Sequence, residues 1–78
     1  MNLFLIVYDR RQRKLLEVEQ FGAGQFDRAN QVLFESELAY PGMEVVLFEA
    51  ASYDQLKLTH SRYFDDVPAQ VEAAAAAS

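Results

Sequence analysis

Leu3-Phe4-Leu5-Ile6-Val7-Tyr8 is an unbroken apolar run that stops at Asp9. Successive residues of a strand point to opposite faces. Leu3, Leu5 and Val7 therefore line one face, and Phe4, Ile6 and Tyr8 the other. A strand that is apolar on both faces belongs at the middle of a sheet, covered above and below. The remaining segments are placed around this one.

The polar stretch Asp9-Arg10-Arg11-Gln12-Arg13-Lys14 follows and holds four of the seven basic residues. It lacks glycine, so it suits a longer loop around a type I turn better than a two-residue primed turn. Leu15 to Phe21 reads as a second strand. In it Leu16 and Val18 form the buried face, and Glu17 and Glu19 the wet one. Gly22-Ala23-Gly24 breaks that strand. A helix is predicted over Gln25 to Ala39, with Phe26, Ala29, Leu33 and Tyr40 on its apolar side and Arg28, Gln31 and Glu35 opposite. Pro41-Gly42 ends it.

Met43 to Ala50 is the third strand, with Met43, Val45 and Leu47 on one face and Glu44, Val46 and Phe48 on the other. Ser52-Tyr53-Asp54-Gln55 has capping-box spacing, with Ser52 as N-cap. The helix it opens runs to about Tyr63 and groups Tyr53, Leu56, His60, Tyr63 and Phe64. Asp65-Asp66-Val67-Pro68 is a stop. Residues 69–78 are mostly alanine, a strong helix former in a segment too short to be stable alone. One α+β domain is expected over 1–66, followed over 67–78 by an alanine-rich tail or short helix.

The order is ββαβα. The first two strands make an antiparallel hairpin, and the first helix carries the chain back to a third strand parallel to the second. Right-handed crossover with the apolar run in the middle predicts a three-stranded antiparallel sheet of order 2-1-3. Both helices are expected on one face, as in a split β-α-β unit, half of a ferredoxin-like arrangement. This leaves the second apolar face uncovered, and a second copy of the chain is the expected cover.

With 78 residues and no cysteine, the chain has neither disulfides nor thiolate ligands to supplement a small core. The absence of cysteine suits a reducing compartment. No apolar run approaches membrane-span length and no basic leader precedes Leu3, so a soluble cytoplasmic protein is expected. The net charge of −5 disfavours general nucleic-acid binding.

Arg10, Arg11, Arg13 and Lys14 are the main charge feature, and offer contact with an anion or an acidic partner. Solvation of a hairpin tip is the plainer account of them. His60, the one histidine, is a pocket or switch candidate with Tyr63, Tyr53 and Glu37. A structural histidine bonded to a carbonyl or a tyrosine fits it better, since no Cys, His or Glu at ligand spacing supports a metal. Glu37 falls on the apolar side of the first helix, which calls for either solvation of the last turn or a partner such as Arg62 or His60. Gly22-Ala23-Gly24 lacks the further signature residues of a phosphate-binding loop. No nucleophile–base–orienter set is visible, and no cofactor is implied. The expected function is a small non-enzymatic interaction or regulatory module, homodimeric, that binds another protein. The alternatives are a small-ligand binder or enzyme using His60 with nearby tyrosines, and a nucleic-acid regulator using the Arg10–Lys14 loop.

Overall fold

The computed structural model describes residues 1–64. The boundary at 66 and the alanine-rich segment lie outside the described residues. In chain order the elements are β1 (Asn2–Asp9), β2 (Lys14–Phe21), α1 (Phe26–Ala39), β3 (Glu44–Ala50), α2 (Tyr53–Thr59) and a terminal 3-10 turn (Ser61–Phe64). The architecture is α+β, with a three-stranded antiparallel sheet of order β2-β1-β3. Leu3 to Val7 are buried along the whole central strand, with Phe4, Leu5, Ile6 and Val7 fully inaccessible.

The two helices do not share a face, which corrects the expected arrangement. Leu3 and Leu5 pack with Phe21, Val45 and Leu47 beneath Ala29, Val32 and Leu33 of α1. Phe4, Ile6 and Tyr8 pack on the other side with Val46 and Phe48 against Tyr53 and Leu56 of α2 and Tyr63 and Phe64 of the terminal turn. The result is a helix–sheet–helix sandwich. Handedness constrains α1, because it joins two strands of one sheet. Among the described residues no further strand of this sheet follows α2, so handedness does not tie it to one side. Burying a large apolar side chain stabilises by roughly 1.5–3 kcal/mol, and the open face of β1 offers three. The argument for a second copy as cover therefore loses its premise.

A second correction concerns β2. The pairing of β1 and β2 shifts between Val7 and Tyr8: Val7 faces Glu17, but Tyr8 faces Leu15. Leu16 is the extra residue of a bulge, which interrupts the alternation. Leu15 is fully buried beside Tyr8 and Leu56, and Leu16 is 37% exposed.

Small residues seat α1. Ala29 and Ser36, seven apart, are its buried positions. Phe26, expected on the covering side, is 57% exposed. Helical side chains lean toward the N-terminus, so a residue at the first helical position projects past the sheet. Leu38 and Leu58 are also exposed. Ser52 caps α2 by accepting the Gln55 backbone N–H at 3.2 Å. That helix closes at Thr59, earlier than expected, with His60 as C-cap before the chain tightens into the 3-10 turn.

Candidate functional site

The hairpin joining β1 to β2 is a four-residue turn between the paired residues Asp9 and Lys14. Asp9 organises it: its Oδ1 accepts the backbone N–H groups of Arg11 at 3.0 Å and Gln12 at 3.2 Å. Such an Asx-type turn lets a loop without glycine reverse direction. The loop closes at Arg13 with φ of 54°, the left-handed region that side-chain-bearing residues seldom occupy.

This turn sorts its cations onto two sides. Arg10 and Arg13 line a depression of about 270 Å³ together with Tyr8 and Arg62. Arg11 lines a different one, of about 400 Å³, with Asp9, Gln12, Pro41, Gly42 and Met43. Lys14 is exposed at the start of β2.

Glu44 ties the first depression together. It sits at the start of β3 directly opposite Tyr8, on the face covered by the terminal turn. Its Oε2 accepts from Arg62 Nη2 at 2.7 Å and from the Tyr63 hydroxyl, and its Oε1 lies 3.7 Å from Arg10 Nε. Arg62 Nη2 also donates to the Tyr63 oxygen at 2.6 Å. The Arg62 guanidinium lies 4.1 Å from the centroid of the Tyr63 ring and 5.8 Å from that of Tyr8, distances at which a cation is attracted to the ring. The two rings meet edge to face at 5.1 Å. The side chain of Glu44 is only 17% exposed, whereas those of Arg10 and Arg62 are 75% and 60% exposed. The carboxylate is thus the inner anchor, and the guanidiniums are the outer, reachable groups. Burial, then the hydrogen bond to Glu44 and its charge, push the Tyr63 hydroxyl up to about 12. It stays protonated and acts as a fixed donor.

His60 stacks on Phe48 at 3.8 Å, with an interplanar angle of 13°. With Thr59, Ser61, Arg62 and Tyr63 it borders an adjoining depression of about 300 Å³. Of the pocket candidates, His60 and Tyr63 are therefore brought together. Tyr53 is turned away, packing on Phe4 and Phe64 under Lys57. Glu37 is exposed on α1, across the sheet from Arg62 and His60, so neither can serve as its partner. Among the described residues no group of three or more His, Asp or Glu side chains is placed to hold a metal. No helix among them is long and apolar enough to cross a membrane.

Arg62 and Glu44 complete the site without having been singled out as its members, and Tyr8, one of four tyrosines that could line a small-ligand pocket, joins them from the end of β1. The signal for Glu44 was present in the strand order: with β1 and β3 antiparallel neighbours, the start of β3 must fall near the end of β1. Arg62 had no comparable signal, because its position depends on which face α2 covers. No protein-family model, curated protein or solved structure matches this chain.

Proposed function

We propose that this protein is a small non-enzymatic binding module whose recognition element is the cleft of Tyr8, Arg10, Arg13 and Arg62, and that it engages an anionic group on its partner. One observation carries the reading. Three arginines from two distant segments line one depression, and a single inner carboxylate, Glu44, holds two of them, Arg10 and Arg62, from behind. Guanidinium groups keep their charge at all ordinary pH values and present forked donors suited to carboxylate and phosphate. That is the chemistry of recognition, not of proton transfer. The test is a titration with sodium sulfate followed by amide chemical shifts. Shifts should concentrate at residues 8–13 and 61–63 and disappear in Arg62→Ala. Shifts spread evenly over the surface would discard the cleft.

A second copy remains the other partner the surface supports, by a different route from the sheet face. Phe26, Phe34 and Leu38 of α1 are 57%, 64% and 69% exposed, along one helical row of spacing four and eight. Self-association through this row should appear in sedimentation equilibrium as a dimer that Phe34→Asp converts to monomer. A wild-type monomer at high concentration would remove this reading.

A further inference from the structure

Resting on the arginine-cleft reading, we infer that the group bound there is a phosphate monoester in its doubly charged form. The argument starts from charge. Arg10, Arg13 and Arg62 contribute three positive charges around the depression, and Glu44 contributes one negative charge behind it. Tyr63, pushed up to about 12, is neutral. Asp9 and Arg11 lie together in the separate depression across the hairpin and offset each other. His60 borders the neighbouring depression rather than this one. Among the described residues the cleft therefore carries a net surplus of two positive charges. A phosphate monoester brings about −1.5 to −2 at neutral pH. A monocarboxylate or a phosphodiester brings one.

Competition sharpens the choice. Glu44 is already bonded to Arg62 and close to Arg10, and being part of the same chain it never diffuses away. An incoming monocarboxylate offers the two arginines the same chemistry they already have, at the additional cost of immobilisation. A phosphate adds a charge and a third oxygen that Glu44 lacks. Donors remain for it. A guanidinium carries five N–H groups, and Glu44 and Tyr63 engage Nη2 of Arg62 while Glu44 faces Nε of Arg10. Both arginine side chains are mostly exposed, so the outward donors can fork onto the phosphate oxygens.

The experiment is calorimetric titration of the full chain with phenyl phosphate, a serine-phosphorylated peptide, sulfate, benzoate and an oligonucleotide without terminal phosphate. Phenyl phosphate should bind about tenfold or more tightly than benzoate, as charge-assisted forked bonds imply. Arg13→Asn, which suits the left-handed backbone, should weaken phenyl phosphate at least several-fold without loss of folding. Glu44→Gln should narrow the gap by admitting benzoate. Because the second phosphate pKa is about 6, phenyl phosphate should weaken between about pH 7.5 and about pH 5.5. Sulfate, doubly charged at both, controls for changes in the protein itself. Equal binding of phenyl phosphate and the peptide supports recognition of the phosphate alone, and tighter binding of the peptide supports a phosphorylated protein as its source. Benzoate or the oligonucleotide binding as well as phenyl phosphate would overturn the inference while leaving an anion cleft. Absence of binding by every anion would remove the cleft reading itself.

Discussion

Tyr63 is the residue on which core and cleft meet, and its titration has a definite sign. Its hydroxyl, pushed from 10.0 to about 12, binds its proton more tightly in the folded chain than in the unfolded one. The stability this confers is complete below pH 10 and is lost as pH rises toward about 12. Tyr40, whose hydroxyl donates to Glu17 at 3.2 Å and is raised chiefly by that carboxylate's charge, adds to the same trend. Tyr63→Phe should cost about 1 kcal/mol at neutral pH and flatten the alkaline fall in urea midpoint. An unchanged alkaline profile would refute the Glu44–Tyr63 bond. Arg13 offers a different test. Its left-handed φ of 54° favours glycine, so Arg13→Gly should raise the thermal midpoint while weakening anion binding.

The elements were mostly legible in the sequence. The apolar run placed β1, Gly22 and Pro41 bounded α1, and Ser52 opened α2, each through local chemistry that needs no knowledge of neighbours. The bulge was not legible. Leu16, Val18, Glu17 and Glu19 alternate as a regular strand would, and the extra residue appears only in how β2 pairs with β1. This has a measurable consequence: Leu15→Ala should cost about 2–5 kcal/mol, and Leu16→Ala about 0.5 kcal/mol or less. Comparable losses from both would argue against the bulge. Ser52→Ala should cost about 0.5–2 kcal/mol, with Ser61→Ala, exposed in the terminal turn, costing much less. The face taken by α2 was equally hidden, because an apolar helical stripe fits either side of a sheet that is apolar on both.

For the whole molecule, the sandwich makes the two faces of β1 equally indispensable. Leu5→Asp buries a charge beneath α1, and Ile6→Asp buries one beneath α2 and the terminal turn. An unpaired buried charge costs several kcal/mol, against a total stability of roughly 5–10 kcal/mol. Both variants should fail to give cooperatively melting protein. Survival of Ile6→Asp alone would mean that α2 covers nothing essential. At this scale the site was half legible. Arg10 and Arg13 stood out as a local charge cluster, whereas Arg62 and Glu44 reach them only through tertiary structure: the 2-1-3 order brings Glu44 beside Tyr8, and the second helix layer brings Arg62 over it.

The terminal turn gives this assembly a thermodynamic property of its own. It is a single short 3-10 segment, held to the sheet by Tyr63, Phe64 and the contacts of Arg62 with Glu44. Short segments of a fold open and close locally while the rest of a protein stays folded. Each opening withdraws Arg62 and leaves Arg10 and Arg13 without their third member. A ligand that needs all three binds only the closed form, and by mass action it must hold that form shut. Amide exchange at residues 61–64 should therefore slow on anion saturation by a larger factor than exchange in α1, on the far side of the sheet. The clasp that completes the cleft is then also its reporter, and its amide exchange becomes a gauge of occupancy.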